Sequence, residues 1–297
     1  MELTNKRSNF AILISLISNV ALTAIKLVIG LLFNSQVLIA DGVHNAGDVF
    51  ASAAALVSMR ISKRPPDKDH PYGHGKAEVI GAGIVAIVLV LASIFMGYHS
   101  ILALTEQPHK SSVLVLIAAG ISLIWKFWLY IYTMRVGKKS NSSGLIATAY
   151  DHLADVYASL AAVIGIILAM MGEHYNIQIL KYGDPLAGII VAYFVLKLAI
   201  HIGRSSVDVL MEKNIDEERM GEILQLIRSI PEVKRIDRIR AREHGHYLIV
   251  DVRVGISADL TIQDGHDISK KIKEAVRDLN PLVEEVLVHL NPWYENE

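Results

Sequence analysis

The chain of 297 residues contains no cysteine. Disulfides, Cys-ligated zinc sites and iron–sulfur clusters are therefore excluded. Charge is also scarce: 20% of residues are Asp, Glu, Lys or Arg against 52% hydrophobic, a balance too apolar for an ordinary soluble domain. A net charge of −1 leaves no basic footprint for a nucleic acid. The sequence has no nucleophile elbow, P-loop or H-E-x-x-H motif, which argues against a membrane-bound enzyme. Internal repeats and low-complexity segments are absent. The opening "MELTNKRSNF" runs into an apolar stretch without a small-residue cleavage site, as expected for a first membrane span and not for a cleaved signal peptide.

What is present is a series of long apolar runs. Six stretches, about 10–33, 37–60, 79–104, 113–134, 144–172 and 184–203, reach the roughly 20 residues a bilayer crossing requires. The third carries no formal charge. Basic residues mark alternate loops: Lys6 and Arg7 before the first span, Arg60, Lys63, Arg64, Lys68 and Lys76 after the second, Arg135, Lys138 and Lys139 after the fourth, and Arg204 after the sixth. The other loops hold only Lys110 and Lys181. By the positive-inside rule both termini are expected in the cytoplasm, in a multi-pass protein of the cell (plasma) membrane. The expected fold is thus an α-helical membrane domain of six transmembrane helices, residues 1–208, followed by a cytoplasmic domain, residues 209–297.

That second part has soluble character. "DEERMGEILQLIRSI" (216–230) has helical periodicity and stops at Pro231. "VKRIDRIRAR" (233–242) and "HYLIVDVRVGI" (246–256) alternate as half-buried strands do, with Gly245 suggesting a hairpin between them. "TIQDGHDISKKIKEAVRDL" (261–279) reads as a second amphipathic helix and "VEEVLVHLNP" (283–292) as a last strand. The order α-β-β-α-β makes a small α+β unit with both helices on one face of a three-stranded sheet.

Carboxylates inside the spans need a reason, because one charge at the bilayer centre costs about 2.5–3.5 kcal/mol on insertion scales. Asp41 and Asn45 of the second span are four residues apart and share a helix face, as do Asp151 and Asp155 of the fifth. At about 1.5 Å per residue across a core of about 30 Å, Asn45 and Asp155 both fall near midplane. Three carboxylates and a carboxamide at one level call for a cation or protons to offset their repulsion. Oxygen donors without sulfur or imidazole suit a hard divalent cation. His44 and His152 stand one position from these residues, about 100° around a helix, and are expected to pack beside the site. Lys26 is a further intramembrane charge, expected to snorkel or to pair within the bundle.

These features carry a resemblance. Six spans, polar pairs on the second and fifth, "DPLAG" opening the sixth and above all "DHPYGHGKAE" at 69–78 make the chain similar to the cation diffusion facilitators, which exchange metal cations for protons. The resemblance implies a homodimer and a ferredoxin-like cytoplasmic domain that dimerises. It also implies a transport site at Asp41, Asn45, Asp151 and Asp155. Zinc-carrying members usually have a histidine among the four, often at the position of Asp151, so this set resembles manganese exporters. Asp67, His70 and His74 form either a loop metal site or a structured loop stiffened by Pro65 and Pro66. Lys76 resembles a family lysine whose acidic partner here is Glu212. Asp237, Asp251, His266 and His289, with Asn291, resemble a regulatory metal site, and His244 and His246 are additional candidates.

The expected activity is export of Mn(II) against protons, with Zn(II), Fe(II), Co(II) and cadmium open as cargo. In a reading of another class the spans only anchor a metal sensor or scaffold, and carboxylates at midplane would then serve no purpose.

Overall fold

The computed structural model describes residues 2–106, 112–140 and 143–294. Six long helices come first: α1 (Glu2–Leu32), α2 (Gln36–Ser62), α3 (Lys76–Thr105), α4 (Val113–Ser140), α5 (Ser143–His174) and α6 (Gly183–Leu210). A 3₁₀ segment (Gln178–Tyr182) leads into α6. Most of these helices run past the hydrophobic stretches that announce them, because hydropathy marks the thickness of hydrocarbon and not the end of hydrogen bonding. Among the described residues five helices are long and apolar enough to cross a membrane. The exception is α2, whose first half carries Asp41, His44, Asn45 and Asp48. Outward-facing residues such as Ile84, Leu91, Phe95, Ile117 and Ile124 are exposed and apolar, the surface a helical membrane protein turns to lipid.

The chain sorts into two compact units, Met1–Ala54 with Ile84–Ile202, and Ala55–Gly83 with Gly203–Glu297. The division falls within α2, α3 and α6. In the first unit the core mixes Val37, Leu38, Leu89, Val191 and Val195 with a series of alanines, among them Ala118, Ala119, Ala162 and Ala187. Small residues let helix backbones approach closely, which is how helices gain packing energy in lipid. Asp184 at the start of α6 accepts a hydrogen bond from Val37 N–H at 3.2 Å and another from Ser35 Oγ, so it caps the open end of α2.

The second unit contains α7 (Glu217–Arg228), β1 (Arg235–His244), β2 (Tyr247–Ser257), α8 (Ile262–Leu279) and β3 (Val283–Trp293), the α-β-β-α-β order expected from the sequence. The sheet order is β1-β2-β3, antiparallel then parallel. Ile223 and Ile227 of α7 and Ile268, Ile272 and Val276 of α8 pack with Ala241, Val250, Val252, Val254 and Val286 of the sheet. Asp216 caps α7 by accepting from Arg219 N–H, and Thr261 with Asp264 forms a capping box on α8.

The β1–β2 hairpin has a two-residue loop, Gly245 and His246. Gly245 has φ +73°, the first-position requirement of a type II′ turn. This turn packs backbone to backbone against the loop before α3: a Cβ on Gly245 would lie 2.1 Å from Gly75 O, and one on Gly75 would lie 2.1 Å from His244 O. Ser62 Oγ, 3.2 Å from Gly75 O and 2.9 Å from His246 Nδ1, and Tyr247 Oη, which donates to Tyr72 O, complete the contact. Gly75→Ala is expected to lower Tm measurably through this clash, at a cost of about 1–3 kcal/mol. Thermal unfolding in detergent checks it, and an unchanged Tm would show that the loop and hairpin part freely.

Candidate metal centre

The first unit gathers its polar residues at one place. Buried residues of α1 recur as Ser15, Ser18, Leu22 and Lys26, a stripe at helical spacing. On α4 the buried stripe is Val115, Ala118, Ala119, Ser122, Lys126, Leu129 and Thr133. Two fully buried lysines therefore project from α1 and α4 toward α2 and α5. Lys26 Nζ lies 2.7 Å from Asp41 Oδ2 and 3.3 Å from Ser159 Oγ, and Ser159 donates to Asp41 at 3.0 Å. Lys126 Nζ lies 2.5 Å from Asp155 Oδ2 and 2.7 Å from Asn19 Oδ1.

Asp155 is the hub. Its Oδ1 lies 3.1 Å from His44 Nε2, and its Oδ2 is shared by Lys126 and, at 3.8 Å, His152 Nδ1. His152 Nε2 in turn lies 2.8 Å from Ser15 Oγ. Potential ligand atoms of His44, Asp48 and Asp155 all fall within 4.8 Å of one another. Two carboxylates and an imidazole that converge here, with His44 and Asp155 buried and Asp48 partly so, are a donor set for a divalent cation.

The four residues expected from the sequence are not all gathered there. Asp155 is at the centre, and Asp151 lies one turn along α5 on the same side but exposed. Asp41 is fully buried with Lys26 as its counter-ion. Asn45 is fully buried, and neither atom of its amide has a hydrogen-bond partner. Sequence reasoning missed Asp48 and Lys126 and set His44 aside. The α2 stripe 41, 44, 45, 48 contains two i,i+4 pairs, 41/45 and 44/48, and the structure turns the second toward Asp155. Lys26 held a signal: a lysine buried in a span calls for a carboxylate partner, and Asp41 supplies it at 2.7 Å.

In the second unit Asp67, His70 and His74 do come together, without a helix to space them. The residues precede α3, and a turn brings them together, with Asp67 and His70 exposed. Asp67 Oδ1 accepts from His70 N–H at 2.7 Å and lies 3.2 Å from His70 Nδ1, while Oδ2 is 3.4 Å from His74 Nε2. The His70 backbone donor holds the Asp67 carboxyl below its ordinary pKa, against the opposing effect of burial and with help from the His70 side chain. These three form the other candidate metal group among the described residues.

The residues on the sheet behave differently. Asn291 links His289 Nε2, at 3.0 Å, to Asp237 Oδ2, to which its amide donates at 2.6 Å. Arg235 Nε sits 2.7 Å from the other Asp237 oxygen. The Asn291 amide first, and Arg235 with it, hold Asp237 below the usual carboxylate range. Asp251 instead pairs with Arg242 at 3.2 Å, and His266 is exposed on α8. Among the described residues Asp237, Asp251, His266 and His289 do not converge as one group: Arg235 and Arg242 lie beside the two carboxylates, while Asp251 and His289 line one cavity on the sheet. His244 is buried, which lowers its pKa, and its ring lies tilted against that of Tyr247 with centroids 5.1 Å apart. Lys76 Nζ lies 3.3 Å from Glu212 Oε1, as expected, and Arg242 approaches the other oxygen of Glu212 at 3.5 Å.

Comparison with known proteins places this geometry in context. Residues 12–211 match the family model for the cation efflux transmembrane domain, and residues 215–293 match that for the cation efflux protein cytoplasmic domain. The manganese efflux system protein MneP of Bacillus subtilis (strain 168) is 48% identical over 95% of each chain. MneS of the same organism, also a manganese efflux system protein, is 33% identical over 97% of this chain and 96% of its own. The solved MamM CTD is 22% identical with a TM-score of 0.25, covering 26% of this chain and 98% of that one.

Proposed function

The chain belongs to the cation efflux family, and we propose that it exports Mn²⁺ from the cytoplasm in exchange for protons. It is a multi-pass membrane transporter and not an enzyme. The observation that carries the choice of metal is the 48% identity to a manganese efflux protein over nearly the full length of both. On this reading the cation meets a mixed set of carboxylate and imidazole donors. The set supported by geometry is His44, Asp48 and Asp155 with Asp151 one turn away, in place of a set that includes Asp41 and Asn45. The imidazole of His44 favours Zn²⁺ over Mn²⁺ in the Irving–Williams order, so Zn²⁺ is the competing cargo.

Transport follows from competition for the same donors. The cation enters from the cytoplasmic side and binds these side chains. When the site opens outward, protons take the carboxylates and the imidazole and lower cation affinity. The protein works as a homodimer joined through its cytoplasmic domain, with the membrane domain ending near residue 208 and both termini in the cytoplasm. The loop group Asp67, His70 and His74 binds cation on the cytoplasmic side.

Inside-out proteoliposomes with an acidic lumen test this reading. Mn²⁺ uptake is expected to exceed Zn²⁺ uptake and to collapse when an ionophore dissipates the proton gradient. Uptake of Zn²⁺ alone would overturn the choice of metal, and uptake indifferent to the gradient would overturn proton exchange.

A further inference from the structure

We propose that Lys126 is a positioning residue for transport, a tethered positive charge that fixes Asp155 as a one-oxygen ligand and keeps cation affinity low enough for release. The inference rests on the reading of His44, Asp48 and Asp155 as the cation site. Its basis is the division of labour between the two oxygens of Asp155. Oδ2 is held by Lys126 Nζ at 2.5 Å, while Oδ1 faces His44 Nε2 at 3.1 Å. A carboxylate clamped on one oxygen by an ammonium presents the other in a set direction, and a cation arriving at Oδ1 finds it aimed without displacing the lysine.

Lys126 is itself over-determined. It is fully buried on α4 and is fixed by two acceptors on different helices, Asp155 Oδ2 of α5 and Asn19 Oδ1 of α1 at 2.7 Å. A charge so placed cannot retreat to water when a divalent cation enters. It repels that cation across the width of one carboxylate in a poorly screened interior, where Coulomb terms are large. The wild-type site therefore binds less tightly than its donor atoms alone would, and a transporter that must release its cargo in each cycle gains from that.

The test pairs binding with turnover in the purified full chain. Lys126→Met removes the charge and keeps much of the length. It is expected to bind Mn²⁺ at least about tenfold more tightly by isothermal titration, as loss of a nearby like charge predicts, and to show both a lower KM and a lower maximal uptake rate in proteoliposomes. Lys126→Arg restores the charge and is expected to bring affinity back toward wild type. A merely structural lysine would give the opposite pattern, with weaker binding, raised KM and no rescue by arginine. Unchanged or weaker Mn²⁺ binding in Lys126→Met, alongside lost binding in Asp48→Ala, would overturn this inference and leave the site reading intact. Undiminished binding in Asp48→Ala would overturn the site reading and this inference with it. Gel filtration and Lys126→Arg guard against a variant that has simply misfolded.

Discussion

Asp48→Ala should abolish Mn²⁺ transport, while Asn45→Ala should leave most of it. Asp48 contributes one of three converging donors, His44, Asp48 and Asp155. Loss even of a residue that only orients a ligand typically costs about 10–100-fold in metal affinity, and loss of a direct donor costs more. Uptake by Asp48→Ala vesicles is therefore expected to fall to the rate of protein-free vesicles. Asn45, by contrast, is buried with both amide atoms unpaired. A side chain that makes no hydrogen bond has none to lose, and its removal also takes away the desolvation cost of an unpaired buried amide. Measured side by side in proteoliposomes loaded with a Mn²⁺-quenched dye, the two variants separate the two halves of the α2 stripe. Abolished transport in Asn45→Ala with retained transport in Asp48→Ala would restore the set read from sequence and discard the one drawn from geometry.

That contrast shows where the sequence was legible. Five of the membrane helices and the C-terminal α-β-β-α-β domain could be read because each rests on a local pattern: a run of apolar residues as long as a bilayer is thick, or a period of 2 or 3.6; α2, with its polar first half, carries that pattern more weakly. Gly245 announced its hairpin for a similarly local reason. The Lys76–Glu212 approach of 3.3 Å came from resemblance and not from pattern. The metal centre was legible only in part. Asp155 could be found because a carboxylate in a span is costly. Which neighbours it meets depends on how α1, α2, α4 and α5 are rotated about their axes, and an i,i+4 pair cannot report that rotation when the stripe offers two of them. The sheet posed a related problem. Asp237 and Asp251, which the resemblance assigns to a metal, each have an arginine within 3.2 Å or less. Arg235 and Arg242 are ordinary strand residues in sequence and acquire their role only through the fold.

Lys26→Met should strongly destabilise the membrane helices. Lys26 and Asp41 are both fully buried and 2.7 Å apart, with Ser159 as their shared hydroxyl. Removing one partner of a buried ion pair leaves the other charge uncompensated, at a cost of roughly 3–5 kcal/mol. Replacing both partners by uncharged groups of similar volume is often neutral or stabilising. The double variant Lys26→Met/Asp41→Leu is therefore expected to recover most of the Tm lost by Lys26→Met, measured by thermal unfolding in the same detergent. Equal Tm for wild type and Lys26→Met would show that Asp41 has another counter-ion, and a double variant no better than the single one would show that the lysine stem, not its charge, holds the helices. The outcome also bears on transport. If Asp41 serves only this pair, the double variant should still carry Mn²⁺, because the cation would meet His44, Asp48 and Asp155 unaltered. If Asp41 is a ligand, recovery of stability will come without recovery of transport.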